Sequence, residues 1–278
     1  MTFPTPTPLE WRESAQKALK DKPLESLLHL DADHLVTRPL YAEATGGQPI
    51  FAPRPSDAEG RAWDLRTLVE GDEPEAANVA VLTDLENGAA SVLLTGGVLA
   101  GAASLGRALE GVALELAPVA LDAGIDGPEA ADALAVVAKG APRAKLRFHM
   151  DPISAFAAAG GAPRAIEDHL RLAADAAARH AGAYPEAGFF MAGGRVAHEA
   201  GGSIAQELAF AAGAVVAYVR AATDAGLTAE AALRGTAVGL SVDQEYFDSL
   251  AKIRAMRLIW ANLARAFGVD APAVIEAR

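Results

Sequence analysis

From Glu73 onward the chain alternates between two patterns. Short apolar runs bounded by glycine, proline or charge are separated by longer stretches in which apolar residues recur every three or four positions. The short runs are "ASVLLTGG" at 90–97, "GVALELAP" at 111–118, "AKLRFHMDP" at 144–152, "AGFFMAGG" at 187–194, "GTAVGLSV" at 235–242 and "APAVIEAR" at 271–278. They predict six strands. The longer stretches, such as "GPEAADALAVVAKG", "SIAQELAFAAGAVVAYVRAATDAG" and "YFDSLAKIRAMRLIWANLARAFG", close on glycine and predict helices.

Strands alternating with helices pair in parallel through right-handed crossovers, which leaves a doubly wound sheet or a (β/α) barrel. A dinucleotide-binding sheet needs G-x-G-x-x-G after its first strand, and "TGGVLAGAASLG" does not supply it. No G-x-x-x-x-G-K-[ST] occurs either. The expectation is therefore an α/β fold of the TIM type, a (β/α) barrel truncated after about six strands where eight would close it. Its open edges are expected to be covered by self-association.

Upstream, Trp11, Ala15 and Leu19 lie at helical spacing within a predicted helix from Leu9 to Leu19. A Pro/Gly-rich run from Thr37 to Arg61 then reads as extended. The expected organisation is a helical and extended arm over 1–72 and a partial barrel over 73–278.

Composition narrows the function classes. The 278 residues, 51% of them hydrophobic, suffice for one large core. A net charge of −12 repels phosphate backbones and argues against nucleic acid as a partner. There are no cysteines, which excludes disulfides, zinc–thiolate sites and cysteine nucleophiles. The opening "MTFPTPTPLEWRESAQKALK" lacks the basic and apolar regions of a signal peptide, so the default location is cytoplasmic. Ala89 to Gly106 carries no charge, but its four glycines interrupt the apolar run; strand followed by turn is expected there rather than a membrane span.

Six histidines are candidates for chemistry: His29, His34, His149, His169, His180 and His198. None falls in H-E-x-x-H, and no G-x-S-x-G elbow is present, so neither a metal site nor a serine hydrolase is expected. His149 and Asp151 lie at a strand's carboxyl end, where barrel chemistry gathers, and form an acid–base candidate. The competing reading makes Asp151 and Pro152 an N-cap and first-turn pair. His198 and Glu199 follow the next strand, where catalysis and loop packing stay open alternatives.

Longer stretches carry a resemblance. "HEAGGSIAQELAFAAGAVVAYVRAATDAGLT" followed by "LAKIRAMRLIWANL" resembles the methylmalonyl-CoA mutase family, and within it the small, non-catalytic subunit. Upstream, "TRPLYAEA" and "GRAWDLRTLVEGDEPEAANVAVLTDLENGAASVLL" resemble that family's entry into its barrel. The resemblance implies a barrel that threads a CoA thioester along its axis, adenosylcobalamin on a separate domain, and interconversion of methylmalonyl-CoA and succinyl-CoA. Catalytic members carry a tyrosine where this chain has Leu68, and a Tyr-His pair where it has Arg195 and Val196. The cobalt-ligand motif D-x-H-x-x-G is absent. The resemblance thus implies no catalytic residue here, no cofactor bound to this chain alone, and a large catalytic subunit as partner. Arg61, Arg66, His198, Arg234 and Thr236 are the positions it implies for substrate contact. An alternative is a CoA-thioester isomerase module whose cobalamin domain another chain supplies.

Overall fold

Every strand of the main sheet hydrogen-bonds only to its neighbours in sequence. In the computed structural model, which describes residues 6–41 and 63–278, seven parallel strands follow one another in chain order. They are β3 (Arg66–Glu70), β4 (Ser91–Thr95), β5 (Val119–Asp122), β6 (Leu146–Met150), β7 (Gly188–Gly193), β8 (Thr236–Leu240) and β9 (Val274–Ala277). The intervening helices are α2 (Pro74–Glu86), α3 (Ala102–Ala108), α4 (Gly127–Val137), α5 (Pro152–Ala159), α6 (Ile166–Ala181), α7 (Arg195–Glu199), α8 (Ile204–Asp224), α9 (Ala229–Arg234) and α10 (Tyr246–Ala266). The sheet curls into a half-barrel, as a TIM-type barrel with a missing sector would, and the strand ladder stops at β3 and β9.

Side chains alternate along each strand, so one face meets the helices and the other the barrel interior. Val92 and Leu94, Leu146 and Phe148, and Val238 and Leu240 join the apolar core beneath α4, α6 and α8. Burying each such side chain contributes roughly 1.5–3 kcal/mol, so the helix-facing side stabilises the fold. The opposite register holds Arg66, Ser91, Arg147, His149 and Glu276 beside Leu93 and Met191, so the interior mixes charged and apolar side chains.

Five of the six predicted strands are present. "GVALELAP" is instead a turn: the amides of Leu116 and Ala117 both bond back to the Ala113 carbonyl, and Leu116 is 79% exposed. The strand begins just afterwards at Val119, past Pro118, whose nitrogen has no proton to donate. The added strand, "RTLVE" at 66–70, is charged at both ends, and only its Val69 is buried. One-sided burial at an edge leaves little periodic signal. The sheet therefore begins within the stretch assigned to the arm, and the compact units divide between Phe51 and Ala52.

The uncharged stretch 89–106 forms β4, a 3-10 turn (Gly97–Leu99) and the start of α3. Gly96, at φ +88°, makes this turn possible: a Cβ there would lie 2.9 Å from the Gly71 carbonyl oxygen.

The first unit contains α1 (Pro8–Leu19), which starts in a capping box between Thr7 and Glu10. A short antiparallel hairpin of β1 (His29–Leu30) and β2 (Val36–Thr37) follows, with the Asp31 carboxylate accepting from the amides of Asp33 and Leu35. Of the expected extended run from Thr37 to Arg61, residues 42–61, Arg61 among them, lie outside the described residues.

Candidate functional site

The interior charges converge on Glu276. Its Oε2 accepts from Arg66 Nη1 at 2.6 Å, and its Oε1 from Arg195 Nη1 at 3.3 Å and Arg278 Nε at 3.2 Å. Strand alternation puts Glu276 and Arg278 on one face of β9, and Arg195 arrives from the first residue of α7. Gly239 of β8 lies beside that guanidinium, and a Cβ there would press on Met191 Sδ at 3.1 Å.

Arg66 is also fixed from its own side. Its Nε donates to Ser91 Oγ at 2.9 Å, and Ser91 Oγ donates to Asp64 Oδ2 at 2.8 Å. Burial alone would raise the Glu276 carboxyl, but neighbouring His149, Arg66, Arg278 and Arg195 outweigh it and bring the pKa down to about 2.

His149 lies beside this group, with Nδ1 4.0 Å from Glu276 Oε2. Its φ is +48°, the left-handed region, and the β6–β7 register shifts between Arg147 and Met150. Burial first, then Arg66, pushes the imidazole down to about 3, so it is neutral near pH 7. Because burial and the neighbouring guanidiniums oppose its protonated form, the ring is a weak base.

Asp151 is a structural hub. Its Oδ1 accepts from the Ser154 amide at 3.1 Å and from the Tyr218 hydroxyl, and its Oδ2 from the Gly193 amide at 2.9 Å. It thereby caps α5 and ties the ends of β6 and β7 to α8. The structure shows the N-cap reading of Asp151 and Pro152. Burial raises its carboxyl to about 6 despite these hydrogen bonds.

A second buried ion pair lies near the end of β8. Lys252 Nζ is 2.6 Å from Glu207 Oε2 and donates to the Ser241 carbonyl at 3.0 Å, while the Ser241 amide donates to Glu207 Oε1 at 2.6 Å. His198 flanks it, Nδ1 3.8 Å from Glu207 Oε2, with about a third of its side chain exposed.

A cleft of about 300 Å³ opens at the strands' carboxyl ends, lined by Leu93, Met191, Val196, Asp151, Arg195 and Glu276 among others. A second, of about 430 Å³, lies between Trp63, Arg147, Val274 and Arg257. Glu276 and His149 line both, so together they partition the interior.

The family model described as methylmalonyl-CoA mutase matches residues 92–278, about two thirds of the chain. The chain belongs to the methylmalonyl-CoA mutase family. It is 36% identical to the methylmalonyl-CoA mutase small subunit of Streptomyces virginiae, over 97% of this chain and 47% of that protein. Against the small subunit of Propionibacterium freudenreichii subsp. shermanii it is 31% identical, over 96% of this chain and 45% of that one. A probable small subunit of Mycobacterium tuberculosis is 37% identical over 69% of the chain and 31% of its own length. The chain spans about half the length of the first two relatives.

Within this mutase-family barrel, the described positions singled out from sequence fall into four groups. Leu68, half-exposed on β3, and Val196 on α7 offer only hydrocarbon. Arg66 and Arg195 meet at Glu276. Arg234 and Thr236 lie at the amino end of β8: Arg234 bonds Glu230 at 2.9 Å and the Asp270 carbonyl at 3.1 Å, and Thr236 bonds the Ala232 carbonyl at 2.7 Å. His198, at the carboxyl end, is separated from them by the length of the strand.

Sequence reasoning missed Glu276, Arg278, Glu207 and Lys252. "VIEAR" did contain a signal: charges two apart on a strand share a face. The buried Glu207–Lys252 pair left none, because each sits in an ordinary helical polar pattern.

The family is generally cobalamin-dependent, and three of the described histidines do not fit a cobalt ligand. His149 is buried among arginines, His169 is buried on α6, and His180 Nε2 is taken by Asp132 at 2.6 Å. No group of three or more His, Asp or Glu among the described residues could hold a metal.

Proposed function

We propose that this chain serves as a small-subunit-like, non-catalytic component of a methylmalonyl-CoA mutase, supporting a large catalytic subunit that carries out the isomerisation. The observation that carries this reading is the belt at Glu276. Three arginines held on one carboxylate stand between the two clefts of the interior, in the way of an extended thioester that would thread the barrel. Leu68 and Val196 supply no donor to polarise a carbonyl, and Arg195 is committed to the ion pair. Adenosylcobalamin belongs in this reading to the complex and not to this chain. Arg61, Arg66, His198, Arg234 and Thr236 act in it as structural or inter-subunit contacts.

Among the described residues no further strand pairs with the outer edges of β3 and β9, which supports association with another chain, the large subunit or a second copy. The acidic, cysteine-free composition suits a cytoplasmic setting.

The test is reconstitution. The chain alone, given adenosylcobalamin and methylmalonyl-CoA, is expected to show no turnover; with the large subunit of the same organism it is expected to form a stable complex by light scattering. Turnover by the chain alone, or no complex with the large subunit, overturns the proposal.

A further inference from the structure

The geometry points to a carboxylate-binding site inside the barrel whose resident ligand is the protein's own Glu276. The external ligand class that fits it is a small monocarboxylate, and it becomes accessible when the glutamate side chain is shortened.

Three features distinguish this site from an ordinary ion pair. Each carboxylate oxygen of Glu276 is met by a guanidinium: Arg66 on Oε2, Arg195 and Arg278 on Oε1. That is the donor arrangement used to recognise free carboxylates. One of the arginines is anchored independently of Glu276: Arg66 is held by Ser91 at 2.9 Å with Asp64 3.7 Å away, while Arg278 has Asp122 only at 4.0 Å. At least that donor stays in place when the carboxylate is removed. Finally, clefts of about 300 and 430 Å³ reach Glu276 from its two sides, giving a small anion a way in.

Size sets the ligand. Replacing Glu276 by alanine keeps Cβ and deletes Cγ and the carboxylate, and the deleted atoms are those of acetate. His149, neutral beside the site, adds no charge that would favour a dianion. Acetate should fit best, formate should leave a gap, and inorganic phosphate should be too large and too highly charged.

The test uses the full chain carrying Glu276→Ala, with thermal melting in sodium acetate against sodium chloride at equal ionic strength. The variant is expected to melt about 5–9 °C below wild type in chloride, since it leaves guanidiniums in the interior without a counter-charge. Acetate at ten times its Kd is expected to return about 2–3 °C, saturably, with wild type and Glu276→Gln unmoved. Equal melting of Glu276→Ala in acetate and chloride overturns the inference. If the variant does not fold in chloride, refolding in acetate decides: recovery supports the site, and failure in both salts overturns it.

Discussion

Arg66 and Glu276 stand 210 positions apart in the chain, and their side chains meet at 2.6 Å. One belongs to the first strand of the sheet and the other to the last. Where a closed barrel would continue its backbone ladder, this fold brings its two edges together through an arginine and a carboxylate.

Removing one partner is predicted to be asymmetric. Glu276→Gln leaves three guanidiniums around a neutral amide and should cost about 3–5 kcal/mol, as breaking buried pairs does. Arg66→Met should cost less, because Glu276 keeps Arg195 and Arg278. Urea unfolding of the two variants checks the order, and a larger loss for Arg66→Met would contradict the central role of the carboxylate.

The belt also sets an acid limit. His149 falls from 6.5 in the unfolded chain to about 3 in the fold, so its neutral form contributes stability that is complete above pH 6.5 and is lost as the pH drops toward 3. Glu276, at about 2 against 4.5, adds a loss in the same direction between those values. The histidine contribution is on the order of 4 kcal/mol. His149→Asn, which tolerates the left-handed backbone, should flatten the dependence of the urea midpoint between pH 4 and 6.5.

Asp151 works with the opposite sign. With its carboxyl raised to about 6 from 3.8, the folded state binds the extra proton, and this contribution is present below pH 3.8 and lost as pH rises through 6. Tyr218→Phe deletes one of the hydrogen bonds that hold the carboxyl down, so the Asp151 pKa should climb further in a carboxyl NMR titration. The lost hydroxyl also served the Ile153 amide, at 3.2 Å, and the stability cost should be about 1–3 kcal/mol.

Lys252→Met should be more damaging than any surface lysine substitution. It strands the fully buried Glu207 carboxylate, at a cost of about 3–5 kcal/mol. Adding Glu207→Gln to Lys252→Met is expected to recover part of that loss, which a double-mutant cycle by urea unfolding would measure.

The repeating architecture was legible in the chain because buried parallel strands are short apolar runs and their crossover helices are amphipathic. "SVLL", "GFFMAG" and "TAVGL" each bury nearly every residue, and each was found. "RTLVE" was missed since only one of its residues is buried, and "GVALELAP" misled because its alternation comes from a loop that packs Val112 and Leu114 against the core. The site was half legible. Its losses at Leu68 and Val196 could be read from the family resemblance, but the gain at Glu276 could not, since a lone glutamate on a terminal strand becomes meaningful only when the sheet curls and brings Arg66 to it.

The sheet's strictly sequential strand order bears on how the molecule is made. Each strand finds its partner in the one synthesised just before it, so the ladder can grow in the order of translation with little loop-closure cost. Arg66, held until then by Ser91 and Asp64, and Arg195 gain their shared carboxylate only when β9 docks. The belt is a late event in folding, and substitutions at Glu276 should accelerate unfolding while leaving the folding rate nearly untouched.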